Sequence, residues 1–159
     1  MPNWCHNRVD IYIEDEKNIE KFLDFIKGKD EDGNELEFSF ASIIPEPDYK
    51  TTPVARTFPA IKAGMADTEE EKEVLLKNEP TIKEDNWWDW RIQNWGTKWN
   101  LDNDVVINED GNCLEIIFDT AWGPPNGIFE ALRDHELVDS ISWFYDEPGM
   151  QFAGYLNTD

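Results

Sequence analysis

Few side chains in this sequence can do chemistry near neutral pH. His6 and His135 are the only imidazoles, and Cys5 and Cys113 the only thiols. Together they match the number of ligands in a tetrahedral zinc site. Cys5 and His6 are adjacent, however, and adjacent residues of an extended chain point to opposite sides. No C-x-x-C spacing occurs either, so buried, reduced cysteines are expected rather than a metal centre. The chain carries no G-x-S-x-G, no phosphate-cradling G-x-x-x-x-G-K-[ST] and no H-E-x-x-H. Acid pairs such as Asp146-Glu147 are expected to be solvated. No catalytic centre, metal or cofactor is expected.

The tryptophans form the second group. Five of the eight fall in Trp87-Trp88-Asp89-Trp90-Arg91-Ile92-Gln93-Asn94-Trp95-Gly96-Thr97-Lys98-Trp99-Asn100. Trp88, Ile92 and Trp95 follow the i, i+4, i+7 spacing of a helix face, and Gly96 suits a left-handed C-cap. A short helix ending near Asn94 or Trp95 is predicted, with its indoles in the core and an extended exit through Trp99. The alternative is a pocket walled by Trp4, Trp95, Trp99 and Trp122. Its polar contacts would be Arg8, Asn94 and Lys98, and it would suit an anionic aromatic ligand such as a nucleotide. Rings around an open cavity of roughly 300 Å³ or more would favour the pocket.

Charge is the third feature. The chain has 14 Lys+Arg against 35 Asp+Glu, a net charge of −21. Residues 101–159 hold 13 acids and a single cation, Arg133. A field of nearly one sign repels nucleic acid and anionic membrane and attracts basic surfaces. The candidate partner-binding residues are Asp102, Asp104, Glu109, Asp110, Glu115, Asp119, Asp139, Asp146 and Glu147. No run approaches the ~18 apolar residues of a membrane span. The first residues lack the basic and apolar regions of a signal peptide, so a cytoplasmic protein is expected.

The elements that must position these residues can be read in order. Val9, Ile11 and Ile13 alternate with polar residues, giving a half-buried strand over 7–13. Ile19, Phe22, Leu23 and Ile26 make the stripe of an amphipathic helix ending before Gly28. A solvated turn at 29–34 precedes a short extended piece, Glu37 to Phe40. An inserted segment is expected at about 48–85. Within it Thr68 and Glu71 fit a capping box, followed by a surface helix with only Val74 and Leu75 to bury. Val105 to Ile107 forms a strand, and Glu109-Asp110-Gly111-Asn112 turns it into the strand Cys113 to Ala121, with Leu114, Ile116 and Phe118 on one face. Pro124 and Pro125 open a helix with Ile128, Phe129 and Leu132 as its apolar edge. Strands at Ser140–Tyr145 and Gln151–Leu156 close the chain. The pattern predicts one α+β domain over 1–159, with helices on one side of an antiparallel sheet.

Four strings carry a family resemblance: Met1-Pro2-Asn3-Trp4-Cys5-His6-Asn7, Asn94-Trp95-Gly96-Thr97-Lys98-Trp99, Thr120-Ala121-Trp122-Gly123-Pro124-Pro125, and the spacing of Tyr145, Gly149, Phe152 and Gly154. Together they resemble the YubB-type ferredoxin-like domain family of phage- and plasmid-encoded proteins. Gly123 stands where that family commonly has Ser. The resemblance implies a ferredoxin-like sheet, without an iron–sulfur cluster, in a mobile-element protein acting in a bacterial host. Such sheets can stack RNA bases on exposed aromatics, here Tyr12 or Trp143, but the lack of a basic groove argues against that. The expected function is a non-catalytic, DNA-mimicking inhibitor of a host defence or nucleic-acid-binding protein with a basic surface.

Overall fold

The computed structural model describes residues 3–102 and 104–156. It contains a five-stranded antiparallel sheet, a two-stranded hairpin and six helices among these residues. The chain divides into two compact units. One comprises the residues up to Pro45 and from Trp95 onward, and the other is Glu46–Asn94.

The sheet of the first unit is built on β1 (Trp4–Tyr12), whose residues alternate strictly between exposed and buried. It pairs antiparallel on one side with β5 (Cys113–Ala121) and on the other with β6 (Ser140–Glu147). Outside these lie β4 (Val106–Asp110) and β7 (Phe152–Tyr155), so the strand order is β4-β5-β1-β6-β7. β1 begins three residues before the strand expected at 7–13, because Trp4 still has Ala121 opposite it. β6 likewise continues past Tyr145 to Glu147.

One face of the sheet carries Val9, Ile11, Leu114, Ile116, Phe118 and Trp143, all buried. Phe40 and Phe129 pack onto it, 6.0 Å from Phe118 and 5.8 Å from Trp143 between ring centroids. The helix α1 (Glu16–Ile26) buries Ile19, Phe22 and Ile26, and its N-cap Asp15 accepts from the Lys17 N–H. Gly28–Lys29 and Glu35–Leu36 form the small hairpin β2–β3 around the expected turn. The extended piece expected over Glu37–Phe40 is displaced. The strand lies earlier, at Glu35–Leu36, and Phe40 opens the helical turn α2 (Phe40–Ile43), where Asn100 Oδ1 accepts from the Phe40 N–H at 2.8 Å. The last helix of this unit, α6 (Asn126–Arg133), buries Ile128, Phe129 and Leu132 as predicted.

The second unit holds α3 (Pro59–Gly64), α4 (Glu69–Lys77) and α5 (Asn86–Asn94). Thr68 caps α4 by accepting from the Glu71 N–H at 3.1 Å. The return bond of the box is shifted by one residue, from the Asp67 N–H to Glu71 Oε2. α4 buries nothing: Val74 is exposed and Leu75 only half-buried. In α5 the expectation of a tryptophan core is corrected. The buried residues of that helix are Asn86 and Asp89, whereas Trp87, Trp88 and Trp90 are half-buried. Arg91 lies over the Trp87 ring and Lys62 over the Trp88 ring, which lets each indole keep a wet, cation-bearing face.

Candidate functional site

Strand lengths create the candidate site. β4 pairs with β5 only from Asp110↔Cys113 to Val106↔Ile117. β5 runs on through Phe118–Ala121, and β1 accompanies it as far as Trp4. Residues 99–102, 104 and 105 border this end of the sheet, leaving a recess of about 510 Å³. Its walls include Trp4, Trp99, Asp102, Asp104, Asp119 and Thr120. Trp4 and Trp99 remain 44% and 39% exposed, with ring centroids 6.0 Å apart and planes inclined at 41°. Two accessible indoles beside three carboxylates form a surface suited to a cation with apolar flanks.

Several features hold this corner in shape. Gly96 has φ +89°, the left-handed conformation its position predicts. A Cβ there would stand 2.6 Å from the Asn126 backbone nitrogen, so glycine serves close approach as well as the turn. The Trp95 carbonyl accepts from the Gly127 N–H at 3.1 Å, and its indole N–H donates to the Ile44 carbonyl at 2.9 Å. Trp122 also adopts positive φ (+70°), which is costly for a side chain of that size. Its amide donates to the Asn3 carbonyl, while Thr120 Oγ1 donates to the Gly123 carbonyl at 2.6 Å. The Lys98 ammonium stands 4.3 Å from the Trp99 ring centroid and 4.6 Å from that of Trp122. Two indoles of this corner, Trp99 and Trp122, therefore already engage a cation.

The proposed tryptophan pocket is only partly assembled. Trp4 and Trp99 wall the recess, with Trp122 and Lys98 joined to it through the Trp99 ring. Trp95 is fully buried and packs against Phe40, so it is core. Arg8 lies on the exposed sheet face opposite Ile117 and Phe144, 3.8 Å from Asp10. Asn94 belongs to α5, where its side-chain amide donates to the Trp90 carbonyl. The charge expected of the pocket is also corrected. The charged residues lining it are Asp102, Asp104 and Asp119, so the recess presents carboxylates instead of the cations an anionic ligand requires.

The nine acidic candidates are dispersed. Asp102 accepts from the Asp104 N–H, and Asp119 is 2.7 Å from His6 Nδ1. Glu109 and Asp110 are exposed near the hairpin at the other end of β5. Glu115 is half-buried and accepts from Asn108, and Asp139 accepts from the Glu14 N–H at 2.7 Å. Asp146 is half-buried on the open sheet face, in register with His6. Glu147 is the clear correction. It is fully buried, because alternation along β6 places it on the face of Ile141 and Trp143. Its Oε2 accepts from the Met150 N–H, while Oε1 is buried without a hydrogen-bond partner. It cannot belong to an outer surface. Asn100, Leu101, Val105, Phe118, Thr120 and Ala121 also line the recess, and their types carry no sequence signal for it.

The zinc alternative places its four residues apart. Cys5 is buried, His6 faces outward from the same strand, Cys113 is exposed at the far end of the sheet, and His135 stacks on Phe25. Among the described residues no helix is long and apolar enough to cross a membrane. Burial pushes the Cys5 thiol up to about 11, with the Glu147 carboxylate adding to the effect. Iodoacetamide at mildly alkaline pH is expected to modify Cys113 about a hundredfold faster than Cys5, read by peptide mass spectrometry over time. The folded protein keeps the Cys5 proton beyond the pH at which an unfolded chain loses it. This group therefore favours unfolding progressively as pH rises from the ordinary thiol value towards 11, and is neutral below that interval.

No protein-family model, curated protein or solved structure matches this chain.

Proposed function

We propose that this chain is a non-catalytic binding protein that takes a cationic group into the recess beside Trp4 and Trp99. The observation carrying this reading is the placement of Asp102, Asp104 and Asp119 in the same recess as two half-open indoles. Indole faces attract a cation through the ring quadrupole, and carboxylates at the margin supply the counter-charge. The net charge of −21 adds long-range steering toward basic partners and away from nucleic acid and anionic membrane. The two imidazoles have other engagements: His6 is held by Asp119 and His135 by Phe25.

The strand order supports a finer reading of the fold. β1 lies between β5 and β6, antiparallel to both, with one helix following β1 and another following β5. That is the arrangement of a split βαβ unit, and it supports a ferredoxin-like sheet with β7 added at one edge. With the four sequence strings it also supports membership of the YubB-type family and action in the cytoplasm of a bacterial host. A second reading is the DNA-mimicking inhibitor of a host defence or nucleic-acid-binding protein. It is favoured by the single cation in residues 101–159 and by Glu115, Asp119 and Asp146 on the open sheet face. The burial of Glu147, and His6 between Asp119 and Asp146, break the row such mimicry would use.

Calorimetric titration with an acetylated oligo-arginine peptide, an oligo-glutamate peptide and ATP tests the recess. The arginine peptide is expected to bind. Pairing Asp102→Asn with Asp104→Asn, or changing Trp99→Ala, is expected to weaken it about tenfold. Tighter binding of ATP, or affinity unchanged in both variants, would overturn the reading. A partner that responds instead to Glu115→Gln with Asp146→Asn would support the mimicry reading.

A further inference from the structure

We propose that the open face of the five-stranded sheet is a second interaction surface, shaped to receive a basic amphipathic helix of a partner protein. Strand register lays out this face. Reading straight across the sheet, Val106 is opposite Ile117, Ile117 opposite Arg8, Arg8 opposite Phe144, and Phe144 opposite Tyr155. All five face away from Trp143 and Phe118. Val106, Ile117 and Tyr155 are 49%, 39% and 65% exposed, and the Phe144 and Tyr155 rings lie 5.3 Å apart. Arg8 does not interrupt the row electrostatically, because its guanidinium leans toward Asp10. Its aliphatic stem can then continue the apolar strip.

Two residues along the strands on either side, the rows change character. On one side Glu115 lies opposite Asp10 and Asn108. On the other, Asp119 and Asp146 flank His6. The face is thus an apolar strip bordered on both sides by carboxylates. Five strands at a spacing of about 4.8 Å make the strip about 19 Å long. A helix rising about 1.5 Å per residue covers that length in about 13 residues. The bordering rows lie about 7 Å from the strip, within reach of lysine or arginine side chains on the flanks of a helix about 10 Å across.

Charge selects the occupant. Nucleic acid would bring phosphates against four carboxylates. A second copy of this chain would bring another net charge of −21. A helix with an apolar stripe and basic flanks satisfies the strip and both borders together, the helix-in-groove mode of recognition. This surface is separate from the recess and shares only Asp119 with it.

The test uses the full chain and a synthetic peptide of about 14 residues, with leucine on one helical face and lysine on both flanks. Controls are a scrambled peptide of the same composition and an oligouridylate. The patterned peptide is expected to bind at least about tenfold more tightly than the scrambled one. Ile117→Ser, and separately Glu115→Lys with Asp146→Lys, are each expected to weaken it about tenfold, with folding checked by the urea midpoint. The preference for the patterned over the scrambled peptide should persist in Asp102→Asn with Asp104→Asn, which keeps failure of the recess and failure of the sheet face distinguishable. Equal binding of the scrambled peptide, preferential binding of the oligouridylate, or loss of the pattern preference only in the recess variant would overturn the proposal.

Discussion

Trp143→Ala is expected to lower the free energy of unfolding by about 4 kcal/mol, read from the urea midpoint at constant slope. Trp143 is fully buried, and its ring meets Phe118 and Phe129 edge-on at 5.6 Å and 5.8 Å. Truncation would open a cavity that the neighbouring rings can only partly fill. It would also remove the indole N–H that donates to Asn7 Oδ1 at 3.0 Å. Asn7 is itself buried, and its amide donates to Thr120 Oγ1 and to the Cys5 carbonyl. Its oxygen would be left without that donor in a dry setting. Trp143→Phe separates the contributions, since it keeps much of the ring packing but loses the donor. It is expected to cost about 1–3 kcal/mol, the range for an orphaned buried acceptor. A loss below about 1 kcal/mol for the alanine variant would mean that this indole is not a principal core element.

The same residue shows what alternation along a strand makes legible. Val9, Ile11, Leu114, Ile116 and Phe118 declare a buried face by period two, and all five lie on it. The stripes of α1 and α6, the left-handed Gly96 and the Thr68 cap follow from equally local rules. Glu147 violates its residue type but obeys the period: counting two from Trp143 to Tyr145 and two more to Glu147 reaches the inner face. Composition, which treated Asp146 and Glu147 as one solvated pair, overrode the better signal.

The recess was legible only in fragments, for a reason of topology. Trp4 and Trp99 are distant in sequence and meet because β1 and β5 outrun β4 at one end of the sheet. Arg8 and Lys98 give the pocket its expected sign, whereas the charged residues lining it are Asp102, Asp104 and Asp119. Charge alone marks Asp102, Asp104 and Asp119 in the sequence. Nothing local indicated that they would share a cavity with indoles.

The second unit depends on a residue that hydrophobic patterning ignores, and Asp89→Ala is expected to destabilise it by about 3 kcal/mol. The Asp89 side chain is almost wholly buried and accepts from the Thr57 N–H at 2.6 Å, while the Thr57 hydroxyl donates to its carbonyl. Arg56 and Lys62 approach the carboxylate at 3.4 Å and 3.3 Å. Arg56 also meets Asp85 at 2.7 Å, and the guanidinium holds that carboxyl below its usual range. Alanine would remove the acceptor for a buried backbone N–H and a counter-charge for two cations at once. Asp89→Asn retains an acceptor for Thr57 but no charge, so it is expected to lose less, about 1–2 kcal/mol. The loss in Asp89→Asn measures the ion pairs, and the additional loss in Asp89→Ala measures the backbone bond. Hydrogen exchange should show faster opening across 54–63 and α5 in Asp89→Ala. If exchange there stayed as in the parent, Asp89 would be a buried acid that the unit tolerates, and the indoles of α5 would have to hold it together instead.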